Sequence, residues 1–380
     1  MKPIQNNKKQ KILHISVLLQ LCLLGLTNGQ DTAEGLLKKY QYDIVKEGKT
    51  FLLNESRNAS FFLLGELHGE QEIPQLLYSL WPKMSEQGYG HIVAELSPWS
   101  ADKLEFGVTP DTLKRELLWT NKEAKLLRRS NSTPENPTIW GCDMEEISIE
   151  LLVQALSKEN PDDVKLKNIV AQLNGGYNRK IAPSLLNNLR GHNFANDISI
   201  NGISLRASII GSLKIDSARA FPGTRLKAQI TRENIMKEYF LSHYRVMLKE
   251  HPSKLLFRFG RNHLHRGFDS RGISTLGNFV SELAFAEALK CFNVAVFAAG
   301  GRYSLLDRMF EADERSDDIA FQFLWEQAKY NSTVFDLRPL RDHLHTISSN
   351  DRTELHKRLL YWADSYDAII CYKTVNPLKR

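Results

Sequence analysis

The chain has 380 residues, 42% hydrophobic and 25% charged, with a formal charge of +6. That balance belongs to a globular protein and excludes a disordered one. The length allows two domains, but one large α/β domain is equally ordinary.

Lys8, Lys9 and Lys11 precede the apolar run "ILHISVLLQLCLLGL" (12–26), which gives way to "TNGQ". A charged start, a short apolar stretch and small residues near Gly29 read as a signal peptide over 1–29. The run falls short of the roughly 20 residues a membrane span needs. No stable transmembrane anchor is therefore expected, and the mature chain, 30–380, is expected to be exported, to a periplasm or outside the cell. Cys22 lies in the apolar stretch without the small residues that lipoprotein cleavage requires. The leader carries four lysines and no acid, so its removal lowers the formal charge by four, to +2. With no basic face left, nucleic acid is not an expected partner. A small-molecule substrate is, and the sequence carries no sign of oligomeric state.

Six apolar runs read as strands covered on both faces: "FFLLGE" (61–66), "HIVAEL" (91–96), "TIWGCDM" (138–144), "KLLFRFG" (254–260), "NVAVFAA" (293–299) and "DAIICYK" (367–373). Between the first two, Ile73, Leu76, Leu77, Leu80, Trp81 and Met84 follow helical spacing, with Gly88 as a stop and Pro82 predicting a kink or early end. Residues 147–230 are expected to form a mainly helical insertion, either a cap over a site or a second packing layer. A further helix carries Ile235, Met236, Tyr239, Phe240, His243 and Met247 on one stripe. "VFDLRPLRDHL" (334–344) reads as completion of the sheet. Strands alternating with helices predict an α/β fold with a mostly parallel central sheet. Cys142, Cys291 and Cys371 match no zinc spacing and are expected to be buried free thiols. Sequons stand at Asn54, Asn58, Asn131 and Asn331.

Ionisable residues collect where these strands end. The first ends at Glu66 and His68, the second at Glu95, and the third at Asp143 with Glu145 and Glu146 behind it. The fourth runs into "GRNHLHRG", with His263 and His265. Ligands of open parallel sheets bind beyond the carboxyl ends of the strands. Glu66, His68, Glu95 and His263 are therefore the candidate catalytic group, able to activate a water as general base or to hold a divalent metal. His91, at a strand start, and His243, on a helix stripe, are read as structural. Arg266 and Arg271 are expected on solvated surface, and Gly300-Gly301 in a turn.

"LLGELHG", then "HIVAEL", "WGCDME", "TRENIM" and "RFGRNHLHRG", spread over roughly 60–300, resemble the erythromycin-esterase-like group. That group shares a superfamily with haem-uptake lipoproteins and Tiki-type metalloproteases. The resemblance implies an α/β fold with its site at the strand ends, and hydrolysis of an ester or lactone by water that a histidine activates and glutamates orient. It matches Glu66 and His68 to the first acidic/His motif, Glu95 to the glutamate after the second strand, and His263 to the late histidine. Arg232 falls where esterase-like members carry an arginine, and with Asp143 and His265 it is expected to bind substrate. Two departures stand out. Only Leu67 separates Glu66 from His68, where esterases place two residues, a spacing nearer the haem-uptake branch. The late His-Asn-x-His motif reads Arg261-Asn262-His263-Leu264-His265, so its first histidine is lost and the register is open, with either His263 or His265 as the site residue. The alternative function is accordingly a haem- or metal-binding protein without hydrolytic activity, with imidazoles as axial ligands.

Overall fold

The computed structural model describes residues 32–379, apart from 108–118, 120, 146–148, 306–307 and 315–317. The expected leader, its cleavage point at Gly29 and the acid at Glu146 lie outside the described residues.

The described residues form twelve strands: β1 (Gln41–Asp43), β2 (Phe61–Glu66), β3 (Tyr89–Ala94), β4 (Ile139–Gly141), β5 (Ser199–Ile200), β6 (Ile203–Ser204), β7 (Lys254–Gly260), β8 (Cys291–Ala298), β9 (Arg302–Leu305), β10 (Arg308–Glu311), β11 (Ser332–Asp336) and β12 (Ala368–Tyr372). Eight of them form one sheet in the order β1-β11-β12-β8-β2-β7-β3-β4. From β12 to β4 every pairing is parallel. Only β11 runs against its neighbours β1 and β12. The fold is α/β, with a mostly parallel central sheet flanked by helices.

The continuous apolar character of the strands has its cause in two covered faces. Along β2, Phe62 and Leu64 join one core with the helix Glu72–Glu86, while Phe61 and Leu63 join another with the helices Arg225–Glu250 and Leu276–Ala286. Pro82 does not end its helix, which continues to Glu86 with Ile73, Leu77, Leu80, Trp81 and Met84 all buried. Burial of that stripe outweighs the one backbone bond that proline removes. "VFDLRPLRDHL" divides: Val334–Asp336 close β11, and most of the rest enters the helix Arg338–Thr346.

After β4 the chain leaves the sheet. The helices Ile149–Glu159, Val164–Leu173, Ala182–Arg190 and Leu205–Arg219 bury Leu152, Leu156, Leu166, Leu185, Ile209 and Leu213 in a core of their own, which Trp99 joins from beyond β3. This region also closes the sheet edge at β4. The Asn201 amide donates to the Ile139 carbonyl at 2.8 Å and accepts from Gly141 N–H at 2.7 Å, pairing an edge that would otherwise be open. The helix Arg225–Glu250 then returns the chain to β7, which inserts between β2 and β3. Cys142 and Cys371 are buried free thiols, and Cys291 is a partly buried one. Among the described residues no helix is long and apolar enough to cross a membrane.

Candidate functional site

β2, β3 and β7 lie side by side, and each releases polar residues at its carboxyl end. β2 ends on Glu66, which is buried. Two residues on, His68 turns back so that Nδ1 lies 3.1 Å from Glu66 Oε1. The turn depends on Gly69: its φ is +84°, and a Cβ there would stand 1.9 Å from the Ser304 carbonyl oxygen. The Gly69 carbonyl accepts from Ser304 N–H at 3.0 Å and Leu378 N–H at 2.8 Å, which ties this loop to distant parts of the chain.

Glu95, the first residue past β3, joins the parts. Its Oε2 accepts from Gly260 N–H at 2.7 Å and faces His68 Nε2 at 3.4 Å. Its Oε1 accepts from Arg232 Nη2 at 2.8 Å and faces His263 Nε2 at 3.3 Å. His263 comes from the single 3-10 turn Arg261–His263 that follows β7, and its Nδ1 lies 2.5 Å from Glu233 Oε1. The second Glu233 oxygen accepts from Leu276 N–H at 2.9 Å, in the first turn of Leu276–Ala286. Glu66, His68, Glu95, His263 and Glu233 thus form an unbroken row in which carboxylates and imidazoles alternate.

Two guanidiniums flank the row. Arg232 donates from Nε to Asp143 Oδ1 at 2.9 Å and from Nη2 to Oδ2, and its Nη1 stands 3.4 Å from His263 Nε2. Arg258, inside β7, donates to Glu66 Oε2 at 2.8 Å and to Glu123 Oε1 at 2.5 Å.

These neighbours set the charge states. Burial pulls both histidines toward the neutral form, but the field of Glu95 and the hydrogen-bonded carboxylates outweigh it. His68 is held up at about 9 and His263 at about 10. Glu95, which burial alone would push up, is drawn well below the usual carboxylate range by His263 and His68. Burial pushes Asp143 up, and Arg232 only partly offsets it. Because both rings share Glu95, they lose protons as a coupled set. The His68 side chain is 26% exposed and that of His263 10%, so His68 is the ring that meets solvent.

The structure therefore brings together Glu66, His68, Glu95, Asp143, Arg232 and His263. His265 stands apart, buried among Tyr361, Trp362 and Tyr366, with Nε2 2.8 Å from Ser365 Oγ. Between the two histidines of the late motif, only His263 reaches the row. Arg261, where that motif carries its first histidine, turns away to Glu314 and the Val296 carbonyl. Arg266 pairs with Asp367 and Arg271 with Asp269. Each His68 and His263 nitrogen faces a carboxylate, and guanidiniums already neutralise Glu66 and Glu95. Among the described residues no group of three or more His, Cys, Asp or Glu side chains is arranged to hold a metal ion.

Sequence pattern does not single out Glu233, yet a signal is there. Glu233 lies three and seven residues before Met236 and Phe240, on the stripe that faces the core, where a lone acid requires a partner. Arg258 carries the same signal, as a cation inside an apolar central strand.

No family model and no curated protein matches the chain. Solved structures do. A succinoglycan biosynthesis protein superposes with a TM-score of 0.59 at 12% identity, over 92% of this chain and 98% of its own. A Bacillus cereus protein does so with a TM-score of 0.56 at 14% identity, over 92% and 98%. The erythromycin esterase EreC, solved as a mutant in its open conformation, gives 0.57 at 14% identity, over 89% and 95%. Identities this low speak for the fold and not for the chemistry. This chain has an erythromycin-esterase-like α/β fold.

Proposed function

We propose that the chain is an exported hydrolase of ester-like bonds, acting on a small-molecule substrate at the row between β2, β3 and β7. The observation that supports this most is the alternation itself, in which each contact from Glu66 through His68, Glu95 and His263 to Glu233 is 3.4 Å or shorter. In the neutral form, His68 keeps its proton on Nδ1, toward Glu66. Its Nε2 takes a proton from a water that also meets Glu95, and the hydroxide so formed attacks the substrate carbonyl. Glu66 and Glu95 orient the ring and stabilise the imidazolium that results. His263, still protonated and fixed by Glu233, and Arg232 stand on the far side of Glu95. They supply positive charge for the oxyanion of the tetrahedral intermediate. Collapse of that intermediate breaks the ester bond, and the leaving alkoxide takes the proton back from His68.

The test is turnover of generic acyl esters by purified protein. Glu66→Gln and His263→Ala are each expected to abolish it with the circular dichroism spectrum unchanged. Turnover that survives both substitutions rules the assignment out. The similarity in fold to EreC agrees with this reading.

A further inference from the structure

Arg258 occupies an unusual place for a charge. It lies inside β7, level with Leu64 of β2 on one side and Ala94 of β3 on the other, and is 2% exposed. Its neighbours along the strand, Leu256, Phe257 and Phe259, belong to the apolar cores. A buried ion pair is weak support for a fold, because desolvation offsets much of its attraction. What Arg258 does is directional. Its Nε donates to Glu66 Oε2 at 2.8 Å, Nη1 to Glu123 Oε1 at 2.5 Å, and its guanidinium lies 4.2 Å from the Trp119 ring centre. Two hydrogen bonds and one ring thus fix the guanidinium, and the guanidinium fixes one Glu66 oxygen. The other oxygen is left facing His68 Nδ1 at 3.1 Å.

We propose that Arg258 is the positioning residue of the site: held between Glu123 and Trp119, it locks the Glu66 carboxylate in the orientation that aims the His68 ring. It is buried behind Glu66 and acts through that carboxylate. It also helps to keep Glu66 ionised. Burial pushes that carboxyl up, and Arg258 together with His68 brings it below its ordinary value. Without the guanidinium, Glu66 Oε2 loses the donor that holds it at 2.8 Å. The carboxyl then either rotates toward another donor or takes up a proton at higher pH, and the His68 ring loses its fixed acceptor. This role rests on the hydrolase reading only where turnover is measured, since the aim of the ring can be read without substrate.

The experiment compares Arg258→Met, Arg258→Lys and Glu66→Gln in full-length protein. Ring-nitrogen NMR follows His68, assigned by loss of its signals in His68→Gln. Carbon NMR of labelled glutamate follows Glu66, assigned by Glu66→Gln. Arg258→Met is expected to give His68 ring shifts close to those of Glu66→Gln and to move the Glu66 titration to higher pH. Its kcat should fall by about 10- to 100-fold with KM nearly constant, the range seen when an outer-shell partner is removed. Arg258→Lys keeps the charge without the fork, so it should show a smaller loss and intermediate ring shifts. If Arg258→Met does not fold, the lysine variant decides alone. Wild-type His68 shifts and a wild-type pH profile in whichever variant folds, with only Tm lowered, overturn the proposal and leave Arg258 a structural residue. Absence of ester turnover in the wild type counts against the hydrolase reading and leaves the NMR comparison intact.

Discussion

Two histidine clusters lie along the helix Arg225–Glu250, one cationic and the other neutral. At its first turns, His68 and His263 stand between carboxylates and are held up at about 9 and about 10. His243 lies on the same helix, about 15 Å further on at 1.5 Å per residue. There His91 and His243 sandwich Trp140, with ring centres 4.5 and 4.9 Å from the indole. His91 Nδ1 lies 2.9 Å from the Pro137 carbonyl, and His243 Nε2 is buried without a partner. Burial, with no carboxylate bonded to either ring, pushes His91 down to about 4 and His243 to about 3. The residue type is the same and both pairs are largely buried. What differs is the company: carboxylates from strand ends make a cation with a proton to exchange, and an indole makes a neutral plate.

The largest expected effect separates the two clusters directly. His68→Gln should lower ester turnover by about 10²- to 10⁴-fold, the usual worth of a general base, while His243→Leu should leave kcat within about twofold. Equal losses would end the distinction. Gly260→Ala sharpens it, because the φ of Gly260 is −53° and only space is at issue. The added methyl would stand 2.8 Å from His68 Nε2 and 3.3 Å from Glu95 Oε2, so the ring must move. Loss of alignment on that scale predicts a fall of about 10²-fold in kcat with little change in Tm.

The pKa shifts of the two clusters are opposite, so their pH dependences fall in different windows. The proposed mechanism requires neutral His68, so kcat/KM should climb through about 9, and fall again as His263 loses its proton near about 10. An optimum near pH 6 breaks the assignment of His68 as base. At the indole cluster the readout is stability. His91 and His243 have folded values below the ordinary 6.5, so the unfolded chain takes up their protons first. Their contribution is complete above about 6.5 and is lost as pH falls toward about 4 and about 3. Each ring adds a slope of about 1.4 kcal/mol per pH unit in that window. His243→Leu removes one such slope, so its urea midpoint should vary less between pH 6 and pH 4 than that of the wild type.

How much of this was legible follows from what each signal depends on. The continuous strands β2 and β7 announce themselves, because burial on both faces leaves no polar alternation to confuse. Their ends locate Glu66, His68, Glu95 and His263, since a parallel sheet delivers all its carboxyl ends to one edge. Glu233 and Arg258 are harder to read. Each sits inside an element rather than at its end, and its meaning depends on a partner from another segment, Leu276 and His263 for one, Glu66 and Glu123 for the other. The edge strand β4 reads as seven residues but is three, the length over which it pairs with β3. Local sequence carries local geometry, and pairings across the chain appear only once the chain is folded.

The smallest expected effect concerns His265, which spacing alone makes as good a candidate as His263. It is a third kind of histidine, neither between carboxylates nor against an indole face alone. Burial holds it down at about 4, Nδ1 has no partner, and Nε2 meets only Ser365 Oγ. Ser365 Oγ keeps a second bond, to the Tyr361 carbonyl at 2.5 Å, whatever happens to the imidazole. Phenylalanine retains a flat ring against Tyr361 and Tyr366, removes one unpaired nitrogen and forfeits one hydrogen bond. Those terms are each about 1 kcal/mol and opposite in sign. His265→Phe should therefore leave Tm within a few degrees and both kcat and KM unchanged. A loss of turnover comparable to that of His68→Gln would show that the reacting groups extend past His263 into the aromatic cluster, and that the two histidines of this motif are not divided between chemistry and packing.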